Sequence, residues 1–242
     1  MNFFFHFFLF VSEVLILGRI RLFFAGLLDF EFPKDFDDKF SFLFVEKINK
    51  FIKVERDFEN YTFFTFSDFV IEQVINTENS LISTNGIVSV VLSSVDDKFL
   101  KKFTAFLLEN DLRFDYNKLS LFKFEFLENV DFSVGESNFI CVSPIYLKNF
   151  PKEGNMFSFL ENSLKKNYCI YHNLKKCNLS CEIFTNGDYF KEYVEKSTVN
   201  KYDDHYYFLD LYMHGDAELI SFAYDAGLGY NTNKGFGMLD LY

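Results

Sequence analysis

The order in which strand-like and helix-like patterns alternate constrains the fold of this chain more than any other feature. Four segments have the alternating or apolar composition of strands: residues 19–24, 61–66, 87–93 and 119–127. Two stretches between them carry apolar residues at helical spacing, beginning near Phe36 and after Asp96. The resulting order, βαββαβ, predicts a ferredoxin-like unit with antiparallel strands and both helices on one face.

A second, more degenerate unit of the same order is predicted from residue 133 onward. Strand patterns cover residues 139–142, 182–184, 206–212 and 236–242. Helix patterns cover residues 156–168 and the stretch that follows Asp216, a residue type that favours helix starts. We therefore expect an α+β chain of two tandem ferredoxin-like domains, residues 19–132 and 133–242.

Composition limits the classes of partner and compartment. The 242 residues include 24 Lys+Arg and 35 Asp+Glu, a net charge of −11, so unspecific binding to nucleic acid or anionic lipid is disfavoured. Any nucleic-acid function must rest on a local basic patch. Only 4 Cys occur, which indicates a reducing compartment. The apolar leader, residues 1–18, lacks the positive start of a signal peptide and is interrupted by Glu13, so we interpret it as a buried element or a misassigned start.

The C-terminal segment carries the most specific motif. Four glycines form a G-x-G-x5-G-x-G array at residues 227–237 around a polar stretch that includes Lys234. Such a loop can aim backbone N–H groups at phosphate oxygens. The array follows a helix and precedes a strand, so it is not a dinucleotide-binding fingerprint. Two interpretations stay open: a phosphate-binding loop, and a helix C-cap at Gly227 followed by a glycine-rich hairpin.

The glycine array and its flanks resemble the signature of the CRISPR-associated RAMP endoribonucleases, which cleave precursor CRISPR RNA within its repeats. The similar residues are 223–229 (AYDAGLG) and 233–238 (NKGFGM). Supporting similarities are the Arg-x-Arg-Leu strand that begins at Arg19, the Phe-Thr-Phe-Ser segment at 64–67, and Val-Ser-Pro-Ile at 142–145. The resemblance covers about residues 19–242 and implies tandem ferredoxin-like domains of the RRM/RAMP type.

The resemblance also implies RNA cleavage without a metal or other cofactor. Attack by a 2′-hydroxyl on the adjacent phosphate needs a base, an acid for the leaving oxygen, and cations. Well-studied members place a Tyr on the first helix, a His after it and a Lys before the Phe-Thr-Phe-Ser-like strand. This chain instead has Lys39 on the first helix, no His within residues 49–60, and Thr62 near the expected Lys. We take Lys39, Lys53 and Arg56 as catalytic candidates, and repeat binding without cleavage remains the alternative.

The RNA-binding candidates combine the glycine-rich loop with basic pairs. The loop candidates are Gly227, Gly229, Asn231, Asn233, Lys234, Gly235 and Gly237. Lys165 and Lys166 are expected to add phosphate contacts, together with Lys175 and Lys176. Pairs of this kind are usually solvated surface, and an aromatic ring near them would stack on unpaired bases.

One cluster has spacing close to that of a zinc knuckle: Cys169, His172, Cys177 and Cys181. The ligand order is irregular and the family resemblance implies no metal, so we expect none, with zinc as the open alternative. The expected partner is CRISPR repeat RNA, in the cytoplasm and away from membranes. Other CRISPR effector subunits as partners, and a homodimer, stay open.

Overall fold

The computed structural model describes residues 18–150, 154–195 and 203–242. The helices of this part are α1 (Phe36–Val54), α2 (Asp97–Glu109), α3 (Met156–Tyr171) and α4 (Ala217–Ala226). Its strands are β1 (Arg19–Ala25), β2 (Phe30–Pro33), β3 (Phe64–Phe66), β4 (Val70–Ile71), β5 (Val74–Asn76), β6 (Ser80–Ser83), β7 (Ile87–Ser94), β8 (Leu112–Phe114), β9 (Asn117–Phe126), β10 (Glu136–Cys141), β11 (Ile145–Phe150), β12 (Cys181–Glu195), β13 (Asp203–Gly215) and β14 (Leu239–Leu241). Short 3-10 helices occupy Arg56–Phe58 and Thr232–Lys234. None of the described helices has the length and apolarity needed to cross a bilayer.

The N-terminal unit is an antiparallel sheet with strand order β3-β7-β1-β9-β8, and β4 also pairs with β7. Strand β1 lies in the middle, where Ile20 is opposite Leu92 on one side and Phe126 on the other. Along the chain, β1, α1, β3, β7, α2 and β9 follow the βαββαβ order of a ferredoxin-like unit. Strands β2, β6 and β5 form a separate small sheet.

Phenylalanine fills the core of this unit. Helix α1 buries Phe36, Phe40, Phe44, Ile48 and Phe51, which recur every three or four residues and so lie on one side of the helix. The ring of Phe44 contacts those of Phe66, Phe69 and Phe103, with centroid distances of 5.2, 5.4 and 5.6 Å. Aromatic pairs in such edge-on arrangements contribute more than their buried area alone.

The C-terminal unit repeats the same plan. Strand β13 pairs with β12 on one side and with β10 and β11 on the other, and β10 also pairs with β14. Strands β10 and β11 act as one strand that is interrupted near Ser143 and Pro144, so β10/β11, α3, β12, β13, α4 and β14 again have βαββαβ order. Helices α3 and α4 pack on one face, over a core that includes Leu160, Leu209 and Leu219.

The predicted α+β fold with two tandem ferredoxin-like units is confirmed, while several element bounds differ. Strand β3 begins at Phe64 rather than at residue 61, because the Tyr61 N–H donates to the Phe58 carbonyl in a turn instead of pairing with a neighbouring strand. Strands β12 and β13 extend well beyond the predicted cores 182–184 and 206–212 because each supports the other along a long ladder. The predicted leader lies outside the described residues, except for Gly18.

Candidate nucleic-acid interface

The glycine-rich loop, residues 227–237, lies between the two units. It connects α4 to β14, and its 3-10 helix packs against β3 and α1 of the N-terminal unit. On the other side, the Gly237 N–H donates to the Pro144 carbonyl and the Tyr230 N–H donates to the Tyr146 carbonyl, at 2.8 and 2.9 Å. The Thr65 hydroxyl donates to the Phe236 carbonyl at 2.9 Å. The loop therefore joins the edge strand of one sheet to a strand of the other.

Close packing explains why the loop needs glycine. Gly237 has φ +70°, and a Cβ there would overlap the Leu228 carbonyl, while Gly235 has φ +88° and would overlap the Phe66 ring. Both conformations lie in the left-handed region that disfavours other residues. The glycines thus allow the loop to fold onto itself and onto β3.

The backbone geometry corrects the idea that these glycines present a row of N–H groups to phosphate. The N–H groups of residues 227, 228, 230, 234, 235, 237 and 238 all donate to acceptors within the protein. Gly227, Gly229 and Gly237 are buried, and Gly235 is half-buried under Phe66. The groups that the loop offers to a ligand are side chains: Lys234 is exposed, and Asn231 and Asn233 are partly exposed. The helix C-cap interpretation also holds, since the Gly227 N–H donates to the Ala223 carbonyl.

The face of the N-terminal sheet opposite the helices carries cations and aromatic rings. Arg21 and Lys123 are exposed there, and the Lys123 ammonium lies 4.9 Å from the centroid of the partly buried Phe23 ring. Arg21 is opposite Glu125 in the sheet, and Phe23 is opposite Lys123. Rings on an open sheet face can stack on unpaired bases while neighbouring cations contact phosphates.

The open face of the C-terminal sheet carries an aromatic cluster beside the loop, formed by Tyr146, Tyr206 and Phe236. Tyr146 and Tyr206 stack with centroids 5.0 Å apart, and the Phe236 ring lies 5.5 Å from Tyr146 and 5.7 Å from Tyr206. Phe236 is also the residue whose carbonyl is bound by Thr65 of β3. The two open faces therefore meet at Phe236, which makes this junction a candidate surface for single-stranded RNA.

Arg19 connects the two units at the same junction. Its guanidinium is buried and donates to the carbonyls of Tyr224 and Leu239 at 2.5 Å each. The same group lies 3.2 Å from the centroid of the Tyr224 ring and 3.6 Å from a carboxylate oxygen of Asp240. Burial lowers the pKa of Arg19, while Tyr224 and Asp240 act in the opposite direction. Its partners lie more than 200 residues away in sequence, so no local pattern could have revealed this contact.

The three predicted catalytic residues do not form one site. Lys39 lies in the first turns of α1 and is paired with Asp35 at 3.1 Å, whereas Lys53 lies in the last turn. Fourteen helical residues separate them by about 21 Å along the axis. Lys53 and Arg56 are three positions apart in sequence and both exposed, so these two stay together as candidates. Grouping Lys39 with them is therefore corrected, and the rise of a helix is the signal that should have separated them.

The basic pair on α3 lies near the loop without touching it. The Phe159 ring in the first turn of α3 is 5.8 Å from the Tyr230 ring of the loop. Lys165 and Lys166 follow roughly two turns later, about 10 Å further along the helix. Lys166 is exposed, Lys165 is partly buried, and Lys175 and Lys176 are exposed in the loop after α3.

The cysteine-histidine segment does not assemble a metal site in the described residues, where no group of three His, Cys, Asp or Glu side chains could hold a metal ion. Cys181 is buried in the C-terminal core, whereas His172 is exposed and its ring lies against Tyr168, with centroids 4.2 Å apart. Helix packing and strand pairing thus send these neighbouring residues to different environments.

Two carboxyl groups have unusual environments that sequence reasoning missed. Asp37, in the first turn of α1, has its pKa raised to about 7 by burial and by the nearby carboxylates of Asp68 and Asp38. Asp225, near the end of α4, has its pKa raised to about 7 by burial, although Arg19 acts in the opposite direction. Neither residue stands out in the sequence, because the burial of a carboxyl depends on how the elements pack.

Comparisons with known proteins agree with this architecture. Residues 127–241 match the family model for the CRISPR-associated protein Cas6, C-terminal. A curated relative from Methanocaldococcus jannaschii, named CRISPR-associated endoribonuclease Cas6 1, is 26% identical in an alignment of 215 positions that covers 76% of this chain and 75% of the relative. A solved structure described as CRISPR associated protein Cas6 superposes with TM-score 0.76 at 24% identity, covering 93% of this chain and 98% of that one. Another, described as a RAMP protein binding different RNA substrates, has TM-score 0.69 at 17% identity, covering 93% and 99%.

The fold of two ferredoxin-like units is shared with the solved structures described as CRISPR associated protein Cas6 and as a RAMP protein. The residues that match the Cas6 C-terminal family model, 127–241, include the whole glycine-rich loop. The chain is therefore similar to Cas6 proteins, over residues 127–241 by the family model and over 76% of its length by the curated relative.

Proposed function

We propose that this protein binds CRISPR repeat RNA across the junction of its two open sheet faces and cleaves it there without a metal ion. The observation that carries the proposal is the position of the glycine-rich loop. It lies within the family-matched residues 127–241, and it sits where Thr65 of one sheet and the Tyr146–Tyr206–Phe236 cluster of the other meet. Exposed Lys234 on this loop would neutralise backbone phosphate, and the partly exposed rings of Tyr206 and Phe236, supported by buried Tyr146, would stack on bases.

The proposed reaction is an internal transesterification. The 2′-oxygen bonds to the adjacent phosphorus and loses its proton, the bond from phosphorus to the 5′-oxygen breaks, and the leaving 5′-oxygen gains a proton. The products are a 2′,3′-cyclic phosphate and a 5′-hydroxyl. Lys53 and Arg56 are retained as the cationic pair that would stabilise charge on the phosphorane, because both are exposed and only three positions apart in sequence.

A second candidate function is repeat binding without cleavage, as a subunit that holds RNA inside a CRISPR effector complex. The absence of His within residues 49–60 favours this alternative, since it leaves Lys53 and Arg56 as a pair of cations with no evident proton acceptor. Lysine and arginine are poor bases near neutral pH unless the pKa of the lysine is strongly lowered. The curated relative named as an endoribonuclease favours cleavage.

The test is incubation of the full-length protein with repeat RNA from its own CRISPR array in the presence of EDTA. Cleavage that leaves a 2′,3′-cyclic phosphate, and that stops when the scissile nucleotide carries a 2′-deoxy sugar, supports the enzyme. A gel shift with intact RNA supports the binding subunit and contradicts cleavage. Absence of any binding at low salt contradicts both functions.

A further inference from the structure

A groove between α1 and strand β8 combines three cations that the proposed cleavage site does not use. We define this basic groove by Lys47 and Lys50 of α1, Arg113 of β8, and the acidic residues Glu46 and Asp111. It has a volume of about 420 Å³ and opens to solvent. Strand β8 lies at the opposite edge of the sheet from β3, which contacts the glycine-rich loop. Four strand spacings separate these edges by about 19 Å.

The side chains of the basic groove leave a net positive charge. Lys47 is held in place because its ammonium donates to the Asp111 carbonyl at 2.6 Å. The Asp111 carboxylate is bound by Lys118 at 2.8 Å and by the Ser120 hydroxyl at 2.6 Å, so most of its charge is offset. Within the described ranges, Lys47, Lys50 and Arg113 form no ion pair within 4 Å, and Glu46 is the one acidic group of the groove left to oppose them.

The electrostatics of Lys47 agree with this local excess of positive charge. Burial lowers the pKa of Lys47. The neighbouring charges of Lys50 and Arg113 lower this pKa further, and Asp111 raises it only in part. Such mutual repulsion is relieved when an anion enters the groove. The net charge of the chain is −11, so a groove with an excess of positive charge differs from the acidic average of the surface.

We propose that the basic groove binds backbone phosphates of the repeat RNA at a segment remote from the glycine-rich loop. The inference rests on the proposed RNA-binding function. Helix α1 packs against the 3-10 helix that carries Lys234, and its Lys47 and Lys50 line the groove, so one helix connects the two places. Arg113 and Lys50 are exposed at the rim, where they can reach a phosphodiester without any rearrangement of the core.

The test compares two double variants of the full-length protein that lose the same charge. Lys50→Gln with Arg113→Gln removes the rim cations, and Lys34→Gln with Lys101→Gln removes two surface lysines elsewhere. Binding of repeat RNA with a 2′-deoxy scissile nucleotide is titrated from roughly 50 to 200 mM salt. We expect the first variant to bind more weakly and its log–log salt slope to fall by about 1.4, which corresponds to two lost single-strand contacts. The control variant should keep the wild-type slope.

The outcomes separate this inference from the proposed function. If wild-type protein binds the RNA and both double variants keep its affinity and slope, the basic groove is not an RNA site. If both variants lose slope equally, the effect is one of net charge and the inference is also wrong. If the wild type itself fails to bind, the proposed function is contradicted rather than the groove alone. A shortened RNA that covers only the cleavage site should bind wild type and the groove variant equally.

Discussion

The contact of Arg19 with the C-terminal unit gives the sharpest test of how the two units are held together. Replacing Arg19 with Met keeps much of the length of the side chain and removes the donors to the Tyr224 and Leu239 carbonyls. Hydrogen bonds from a charged group contribute roughly 1.5–3 kcal/mol each, and a buried carbonyl without a donor costs roughly 1–3 kcal/mol. The Met variant no longer buries a charged guanidinium, and the desolvation cost that it avoids offsets part of this loss.

We therefore expect Arg19→Met to lower the free energy of unfolding by about 3 kcal/mol, since removing one partner from a buried charged contact typically costs about 3–5 kcal/mol. For a chain of this size that loss corresponds to a fall in Tm of about 6–12 °C. Urea denaturation and calorimetry measure both quantities. The matched control is Arg21→Met, two residues along the same strand and on the same face, where the side chain is exposed.

The control should change stability by less than about 0.5 kcal/mol, as is usual for exposed positions. If Arg19→Met is no less stable than Arg21→Met, the buried contact does not hold the two units together. Arg19→Lys sharpens the comparison, because lysine keeps the charge but lacks the planar fork that reaches both carbonyls at once. It should fall between wild type and the Met variant.

Three further predictions concern the loop, the buried carboxyl of Asp37 and the proposed catalytic pair. Gly237→Ala should destabilise the protein by at least ~2 kcal/mol, because its φ is +70° and the added methyl overlaps the Leu228 carbonyl. Urea denaturation measures this loss, and an unchanged urea midpoint would contradict the packing role of Gly237. The pKa of Asp37 is raised to about 7, so the folded protein binds a proton at this carboxyl more tightly than the unfolded chain does. The free energy of unfolding therefore falls as pH rises from about 4 to 7. Asp37→Asn should then exceed wild type by ~1 kcal/mol at pH 8, after allowance for solvent screening, and match it near pH 4; equal stability at both pH values would refute the shift. Lys53→Ala with Arg56→Ala should slow RNA cleavage far more than it weakens binding, and equal losses in the two assays would argue against a catalytic role.

Local patterns were sufficient to predict the fold because each unit repeats a strong alternation of strand and helix. Asp96 shows this well: its carboxylate accepts the N–H groups of Lys98 and Phe99, so α2 begins where the sequence predicts. The small sheet of β2, β5 and β6 was missed because its strands have only three or four residues. Runs of that length carry too little periodicity to be distinguished from loops.

The candidate site was only partly predictable, because its properties depend on contacts between distant segments. The glycine array marks a loop with unusual backbone conformations, but the sequence alone leaves open which way its N–H groups point. In the structure the N–H groups of Leu228 and Gly237 bond inside the protein, and Lys234 is the charged group that faces solvent. The Tyr146–Tyr206–Phe236 cluster could not be anticipated, since it needs the register of β11 with β13.

The most direct test of RNA binding at the junction is hydrogen–deuterium exchange, with and without saturating repeat RNA. Backbone amides of residues 227–238 and of β1 around Arg21 should exchange more slowly when RNA is bound, because the RNA covers the loop and the open sheet face. Amides of α2, on the helical face of the sheet, should be unchanged. Unaltered exchange at residues 227–238 in protein that is saturated with RNA would contradict the account.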